Sequence, residues 1–475
     1  MRPRGRRPKT ILYLLFPIPS IFTIILFKHK KEHNMIVMKF GGSSVANAER
    51  IKHVASIIKA YQYRRPVVVL SAMGDTTDHL LEAADKAVEG TVDVAGVAKL
   101  HEDTAAELGI NIDTIEALLE ELKQLLTGIS MLKEVSKRSR DYLVSFGERM
   151  SVRMMAAYLN SQGIPAKFHD AWNVGFVSDS NFMSAELLEE TWTNIPQYLN
   201  GYKNGAYDDI PIVTGFIAKD AKGNITTLGR GGSDLTATMI GAAMQAEEVQ
   251  TWKDVDGILT ADPRVVTDAK PVPEVTYEEA QELAMFGAQV LHPRSMLPVR
   301  KTGTPVRVKN SYNIQSLGSI IVENHTGKVP PVCAITSVKN ITLIDIVSSR
   351  MLGAAGFLAH IFNNFLKWNI SIDVIATSEV SVSLTVNSKD KLDGLVEDLE
   401  KAGEVTVRKG KAIVTIICDA AHSSDILASG FEALADEGIN VQMISQGASK
   451  VNISIIVDED EADRTVQILH QAYFS

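Results

Sequence analysis

The chain has 475 residues, of which 45% are hydrophobic and 22% are charged, as expected for a globular protein of two or three domains. Residues 1–34 carry eight lysine or arginine residues and one acidic residue, which leaves 40 basic against 56 acidic residues in the rest. A body this acidic repels nucleic-acid phosphates, so we expect no nucleic-acid partner.

The first 34 residues differ from the remainder. Residues 11–27 form an apolar run that is interrupted by Pro17 and Pro19 and flanked by basic residues. The run is at the short limit for a membrane span, and no small-residue cleavage site follows it. The simpler interpretation is a mistaken upstream start, with translation beginning at Met35, and the alternative is a membrane anchor. The segment is left out of the predicted fold.

The two cysteines, Cys333 and Cys418, have neither the spacing of metal ligands nor the density of a disulfide scaffold. Both lie in apolar, strand-like runs. We therefore expect buried thiols in a reducing compartment and a cytoplasmic protein.

The first predicted unit is a strand, a helix and a second strand. Ile36–Phe40 is an apolar strand that ends in Gly-Gly-Ser-Ser, and residues 67–70 form a strand buried on both faces. Lys39 lies one residue before the carboxyl end of the first strand, the edge where open α/β sheets bind ligands. A lysine there can simply extend to solvent, but beside a Gly-Gly turn a phosphate partner is favoured. Neither the dinucleotide fingerprint nor the Walker pattern occurs.

Residues 76–140 are predicted to be mostly helical, and Ser-Phe-Gly-Glu at 145–148 then opens a further helix over 149–160. Glu148 is expected at the start of that helix. Its carboxylate could meet a substrate ammonium group or only complement the helix dipole, and the residues alone favour the second interpretation.

A glycine-rich stretch, Leu-Gly-Arg-Gly-Gly-Ser-Asp at 228–234, precedes a buried helix over 235–246. Its glycines leave backbone N–H groups unshielded, Ser233 is a suitable N-cap, and Asp234 falls in the first helical turn. An anion could dock at this helix start, and Arg230 offers a bidentate partner for a carboxylate or phosphate. A plain strand-to-helix turn explains the spacing equally well.

Strands and helices alternate up to residue 310, which predicts one α/β domain over residues 35–310. Residues 311–475 follow another pattern. Residues 341–385 and 412–456 each read strand, helix, strand, strand, and residues 370–375 align with 439–444 at an offset of 69. Neither copy holds an obvious nucleophile or metal cluster, so a ligand sensor and a dimerisation module are both compatible.

Six motifs occur in one order, and with them residues 35–475 resemble the aspartate kinases of the monofunctional, lysine-sensitive type. The motifs are residues 39–45, 145–148, 229–234, 262–264, 286–293 and 377–381. The resemblance implies an α/β amino-acid-kinase fold, with a mostly parallel sheet between helices, followed by two α+β ACT domains. One ACT unit, about 340–408, would be inserted into the other, about 328–338 plus 410–475.

The implied reaction converts ATP and L-aspartate to ADP and 4-phospho-L-aspartate with Mg²⁺, the first committed step toward lysine, threonine and methionine. The acceptor carboxylate is already ionised at pH 7, so no general base is needed. The enzyme would instead position the substrates and neutralise charge on the transferred group.

The resemblance also implies roles for individual residues. Lys39 and Asp234 would be catalytic, Lys39 on the γ-phosphate and Asp234 either orienting Lys39 or approaching the metal, with no direct protein ligand to the metal assigned. Glu148 would bind the ammonium group of aspartate and Arg230 its α-carboxylate, with Thr77 completing the pocket. The implied ATP contacts are Lys39, Gly41, Gly42, Ser43, Lys253, Asp254, Leu259, Arg264, Gln289 and Val290. The implied effector contacts are Met351, Gly356, Phe357, Asp373, Thr377, Ser378 and Glu379.

The chain departs from its relatives in places. Leu259 stands where an aromatic residue is frequent, Gln289 where a lysine is usual, and Gly353 and Ala354 replace polar residues of lysine-sensitive relatives. In the sensor, carboxylates at Asp373 and Glu379 favour lysine over threonine as the effector. A homodimer or a dimer of dimers through the ACT domains is expected.

Two alternatives compete with this interpretation. Other amino-acid kinases generally lack the paired ACT tail, so the repeat argues against them. A catalytically silent, amino-acid-binding regulatory subunit predicts damage at Lys39, Arg230 or Asp234, and all three residues are intact.

Overall fold

The computed structural model of the chain describes residues 35–287, 291–352, 355–387, 391–447 and 451–475. The expectations for residues 1–34 lie outside the described residues, as do those for Gln289, Val290, Gly353 and Ala354. None of the described helices combines the length and the apolar character that a membrane crossing requires.

The first part of the chain alternates strands and helices, as predicted. Its strands are β1 (Ile36–Phe40), β2 (Pro66–Leu70), β3 (Ala166–His169), β4 (Val177–Ser178), β5 (Ile210–Thr214), β6 (Ile217–Asp220), β7 (Ile225–Thr227), β8 (Val249–Lys253), β9 (Glu274–Thr276), β10 (Val306–Asn310) and β11 (Ser319–Val322). Its helices are α1 (Ala48–Tyr61), α2 (Thr76–Glu89), α3 (Ala95–Leu108), α4 (Asp113–Leu132), α5 (Lys137–Ser161), α6 (Glu190–Lys203), α7 (Gly232–Ala243), α8 (Tyr277–Met285) and α9 (Leu297–Thr302).

The main sheet places β1 near its centre. In the described chain its strand order is β3-β5-β2-β1-β8-β10-β11-β9, and every pairing is parallel except that of β10 with β11. Alternate residues of β1 pack into two hydrophobic cores: Met38 faces one and Val37 the other. Strand β1 is covered on both faces, and Lys39, which pairs with Val69 and Thr251, lies at its carboxyl edge, where open α/β sheets bind ligands.

A small second sheet, β4-β6-β7, lies beside the main one. Strands β6 and β7 form an antiparallel hairpin that turns at residues 221–224. Strand β7 leads directly into the glycine-rich stretch before α7.

The predicted start of the Glu148 helix was wrong. Helix α5 begins at Lys137, with Ser136 as its N-cap, and Glu148 lies near its middle. The whole Ser-Phe-Gly-Glu motif, including Gly147, is helical. A Cβ atom on Gly147 would lie 2.6 Å from the Cβ of Ala72, so this glycine allows α5 to pack closely on the turn after β2.

The predicted cap of the next helix was also wrong. Helix α7 is capped by Gly231, whose φ of 73° is left-handed, and no side chain caps it. Ser233 is already helical, and its Oγ accepts a hydrogen bond of 3.0 Å from the hydroxyl of Ser71. Asp234 lies in the first turn, as predicted.

The last part of the chain forms a six-stranded antiparallel sheet in its described residues, in the order β13-β14-β12-β15-β17-β16. Its strands are β12 (Val332–Val347), β13 (Ile375–Thr377), β14 (Ser381–Val386), β15 (Glu404–Cys418), β16 (Met443–Gln446) and β17 (Asn452–Asp458), and its helices are α10 (Phe357–Trp368), α11 (Leu392–Glu400), α12 (Ser423–Asp436) and α13 (Ala462–Phe474).

Two long strands, β12 and β15, run through both halves of this sheet. Residues 332–338 of β12 pair with 413–418 of β15, whereas residues 341–347 pair with 404–411 and with β14. The predicted repeat is present: after α10 the Ile370 N–H donates to Phe365 O, and after α12 the Ile439 N–H donates to Leu434 O, at the same offset of 69. We therefore describe a first regulatory unit (341–408) and a second (332–338 and 411–475).

Candidate active site

Lys39 and Asp234 form a largely buried ion pair at the carboxyl edge of β1. Their Nζ and Oδ1 atoms are 2.7 Å apart, and both side chains are nearly nine-tenths buried. Strand β1 supplies the lysine and the first turn of α7 supplies the aspartate. The structure thus brings together the two residues expected to be catalytic.

The Gly-Gly turn after β1 leaves no room for a side chain at Gly42. A Cβ atom on Gly42 would lie 2.7 Å from the carbonyl oxygen of Ala72, and one on Gly41 would lie 3.8 Å from Lys39 Nζ. The Gly74 N–H donates to Gly42 O at 3.1 Å, so the turn is held against the segment after β2. Ser43 is exposed at the rim. A bare backbone beside a lysine suits phosphate oxygens.

Glu148 is buried next to the same turn with one oxygen unpaired. Its Oε1 accepts a hydrogen bond of 3.1 Å from the Ala72 N–H, while Oε2 is buried without a partner among the described residues. Burial raises the pKa of Glu148 to about 8. A buried carboxylate oxygen without a donor is suited to a cationic ligand group.

Arg230 projects from the loop between β7 and α7. Its side chain is exposed and forms no ion pair with any described residue. The pKa of the His292 imidazole is lowered, mainly by burial and secondly by the positive charge of Arg230, which therefore lies nearby. Arg230 is therefore available to an anionic ligand.

Asp141 anchors the beginning of this loop and was missed in the sequence. The carboxylate of Asp141, on α5, accepts hydrogen bonds from the N–H (2.9 Å) and hydroxyl (2.8 Å) of Thr227 and from the N–H of Met183. Asp141 and Glu148 are seven residues apart, two turns on the same helix. The helix that carries Glu148 thus also fixes the base of the Arg230 loop.

Arg294 holds the other side of the loop and was missed as well. Its guanidinium donates to Leu228 O at 3.0 Å and to Ala185 O at 2.8 Å. A Cβ atom on Gly231 would lie 2.4 Å from His292 Cβ, so the loop packs tightly on this segment. The Leu-His-Pro motif ends one residue before Arg294, and that proximity was the one available signal.

The residues expected to contact ATP follow β8. Lys253 ends that strand. Burial lowers the pKa of Lys253, the negative charge of Asp234 raises it, and the positive charge of Lys39 lowers it further. Asp254 is exposed and Leu259 half-buried. Arg264 is exposed, and its described hydrogen bonds go to Asp262, with 2.6 Å between Nη2 and Oδ2.

Thr77 lies half-buried in the first turn of α2, beyond the turn that Glu148 contacts. Among the described residues, no group of three or more His, Cys, Asp or Glu side chains could hold a metal ion. The carboxylate of Asp234 lies next to Lys39, where it is available to a metal.

The expected effector residues all lie in the first regulatory unit. Met351 and Phe357 pack against its hydrophobic core, and Gly356 caps α10 with a φ of 87°. Thr377 ends β13, and Asp373, Ser378 and Glu379 are exposed around it. A hydrogen bond of 2.9 Å from the Ser348 N–H to Val380 O brings the two segments together.

Comparison with known proteins supports the fold of both parts of the chain. Residues 34–310 match the amino acid kinase family, and residues 419–473 match an ACT domain. The chain is 50% identical over 456 residues to aspartokinase 1, chloroplastic, of Arabidopsis thaliana, an alignment that covers 92% of this chain and 80% of the relative.

Two solved structures of E. coli aspartokinase III are also similar. The complex with lysine and aspartate (T-state) has a TM-score of 0.76 and 33% identity, and it covers 93% of this chain and 100% of that chain. The complex with aspartate and ADP (R-state) has a TM-score of 0.75 and 32% identity over the same shares.

The parallel sheet, the Gly-Gly turn and the match over residues 34–310 define an amino acid kinase. Within that class, the identity and coverage show that the chain belongs to the aspartokinase family. It is an aspartate kinase, a phosphotransferase that acts on a carboxyl group, followed by ACT domains. The fold, the family and the reaction class expected from the sequence are confirmed.

Proposed function

We propose that the chain transfers the γ-phosphoryl group of ATP to the side-chain carboxylate of L-aspartate at the edge formed by Lys39, Glu148 and Arg230. The observation that carries the assignment is the buried, unpaired Oε2 of Glu148. It would receive the ammonium group of aspartate, while Arg230 receives the α-carboxylate. Thr77 would complete the pocket.

Lys39 is proposed to hold the transferred phosphoryl group. Its ammonium group lies beside the bare backbone of Gly41 and Gly42, which can donate to phosphate oxygens. Asp234 keeps Lys39 in place through the 2.7 Å ion pair. The acceptor carboxylate is ionised at pH 7, so the residues position charges and no proton has to be removed.

ATP is proposed to lie along the end of β8, with Ser43, Lys253, Asp254, Leu259 and Arg264 among its contacts. Gln289 and Val290 remain proposed contacts outside the described residues. Mg²⁺ usually binds through phosphate oxygens and one or two carboxylates, and it would neutralise charge on the phosphates. Asp234 fits such a ligand set, alone or through water.

Lysine is the proposed allosteric effector. The E. coli relative was solved with lysine, and in this chain the exposed carboxylates of Asp373 and Glu379 flank the segment that meets α10. Met351, Gly356, Phe357, Thr377 and Ser378 would complete the site.

A homodimer or a dimer of dimers through the ACT units is also proposed. Three exposed apolar side chains of α10, Leu358, Phe362 and Leu366, recur every four residues on one face. Such a stripe suits burial against a second copy.

The proposed compartment is the cytoplasm. Cys418 is buried and Cys333 half-buried, and both are free thiols, as a reducing compartment favours. The Arabidopsis relative is named chloroplastic. Imaging of the tagged chain in its own cells distinguishes the two compartments.

An aspartate-dependent hydroxamate assay tests the site assignment. Arg230→Ala should raise the KM for aspartate at least tenfold and change the KM for ATP less than twofold, since Arg230 would bind only the amino acid. Arg300→Ala removes an exposed arginine paired with Glu278 and serves as the matched control. Equal effects on both KM values would contradict the assignment.

The same assay with lysine, threonine and methionine added separately tests the effector. Inhibition by lysine alone is expected, and inhibition by millimolar threonine without a response to lysine would exclude lysine. No turnover despite retained aspartate binding would favour the silent regulatory subunit.

A further inference from the structure

A cavity of about 520 Å³ lies between α4, α5 and the β6–β7 hairpin. Its lining includes three cationic side chains, Arg138, Arg149 and Lys219, together with one carboxylate, Glu121. None of these residues belongs to the proposed catalytic edge. The cavity is large enough for a small organic ligand.

Arg149 is held in this cavity with part of its guanidinium unsatisfied. Its Nη2 pairs with Glu121 Oε2 at 3.1 Å, and the Tyr142 hydroxyl donates to the same carboxylate. The guanidinium carbon lies 4.9 Å from the centre of the Phe146 ring. Its Nε and Nη1 atoms are buried and have no partner among the described residues.

Arg153, one turn further along α5, is an arginine of the same helix whose two terminal nitrogens both have hydrogen-bond partners. Its two terminal nitrogens bind the two oxygens of Asp170 at 2.9 and 3.1 Å, and Nη1 also donates to Arg149 O. A buried charged donor without a partner is costly, so the two free donors of Arg149 require a ligand or water. Arg149 is one of the lining residues of a cavity that is open to either.

The charge of the cavity indicates the chemistry of its ligand. The exposed Arg138 and the half-buried Lys219 add positive charge to the lining, and Lys219 Nζ lies 4.2 Å from the centre of the Trp172 ring. Glu121 cancels one of the three cations, which leaves a net charge of +2. Two charges of one sign in a confined space favour a dianion.

We propose that this cavity is a binding site for a small organic dianion, a dicarboxylate or a phosphate monoester, with Arg149 Nε and Nη1 as its buried donors. Arg138 and Lys219 bind the second charge of the ligand at the opening. The site is separate from the pocket that would hold aspartate: Glu148 and Arg149 are consecutive in α5, yet Glu148 contacts Ala72 and Arg149 contacts Glu121.

Calorimetric titration of the full chain with malate and, separately, with inorganic phosphate tests the proposal. Binding is expected for at least one probe, and its affinity should fall when the salt concentration rises from 50 to 500 mM, because the opening is wet. Malate alone would identify a dicarboxylate and phosphate alone a phosphate ligand. No heat with either probe at low salt would overturn the proposal.

Variants assign the bound probe to the cavity. Arg149→Met should weaken binding at least 30-fold, and Arg149→Lys, which keeps one donor, should weaken it less. If Arg149→Met does not fold, the surface variant Arg138→Gln/Lys219→Gln still tests the site, with an expected loss of about tenfold by removal of two cations. Lys39→Met tests whether the probe binds at the catalytic edge instead of in the cavity. Loss of probe binding in Lys39→Met, together with unchanged binding in the cavity variants, would overturn the proposal. This outcome does not depend on whether the proposed catalytic roles are correct.

Discussion

Thr260 and His470 are hydrogen-bonded to each other, with 2.9 Å between Oγ1 and Nε2, although 210 residues separate them in the chain. Thr260 lies in the loop after β8, where ATP contacts are proposed, and His470 lies in α13 of the second regulatory unit. The Thr260 carbonyl also accepts a hydrogen bond from the Ile335 N–H. The loop residues Ala261 and Val266 belong to the core of that unit. The second regulatory unit therefore directly supports the loop that is proposed to contact ATP.

Replacing His470 should affect ATP more than aspartate. His470→Ala removes the hydrogen bond to Thr260, so we expect the KM for ATP to rise roughly three- to tenfold, the size of one lost buried hydrogen bond. The KM for aspartate should change less than twofold. Steady-state kinetics with each substrate varied measures both values. His360→Ala, at an exposed histidine of α10, is the control, and an equal response of the two variants would contradict the prediction.

Replacing Lys39 should lower turnover strongly while the fold persists. Lys39→Met keeps the length of the side chain but removes the positive charge that would stabilise the transferred phosphoryl group. We therefore expect kcat to fall roughly 100- to 1000-fold. Coupled detection of ADP release measures this. Lys99→Met removes an exposed lysine paired with Asp103 and should leave kcat unchanged. A kcat within threefold of wild type in Lys39→Met would rule out the proposed role.

Asp141 should act as a positioning residue for the Arg230 loop. Asp141→Asn turns two of the acceptor sites of the carboxylate into donors that face backbone N–H groups, so we expect the aspartate KM to rise roughly tenfold. The ATP KM should stay within twofold. Asp220→Asn changes a second buried carboxylate, which accepts hydrogen bonds from the turn of the β6–β7 hairpin instead. Asp220→Asn should lower the melting temperature without raising the aspartate KM. An equal increase of the aspartate KM in both variants would mean that Asp141 has a purely structural role.

Glu148 should impose a pH dependence on aspartate capture. Burial raises its pKa to about 8, and only the ionised form can pair with an ammonium group. We therefore expect kcat/KM for aspartate to rise with pH up to about 8, and Glu148→Gln to remove this rise. A pH profile measured between 6 and 9 checks it. An identical slope in wild type and Glu148→Gln would assign the titration to another group.

The same carboxyl group should influence stability in the opposite direction. A carboxyl whose folded pKa is raised above the unfolded value contributes stability that is present below about pH 4.5 and is lost as the pH rises through about 8. Without substrates, the melting temperature of Glu148→Gln minus that of wild type should therefore increase from pH 5 to pH 8. Thermal melts at both pH values measure the difference.

Much of the fold could be predicted from local patterns. The apolar run of β1 and the repeat at an offset of 69 are short-range signals, and the structure has both. Lys39 could be singled out because a lysine is unusual in a strand that is buried on both faces.

The errors arose where a glycine serves tertiary packing. Gly147 marks the close approach of α5 to Ala72 and does not end a helix, and Gly231 replaces Ser233 as a cap because the backbone turns left-handed there. Asp141 and Arg294 could not be predicted as anchors, since their partners are backbone groups of residues remote in sequence. Periodicity carries no information about such contacts.

The strand pairing between β12 and β15 makes the first regulatory unit separable in principle. Val338 and Ile413 are paired neighbours, so the chain leaves the second unit and returns to it at nearly the same point. A short connection between the two strands could close a hairpin in place of residues 341–408. The kinase domain and the second regulatory unit would then remain without the first unit, which is proposed to bind lysine. Catalysis and feedback inhibition could therefore be inherited, lost or exchanged as separate segments of one gene.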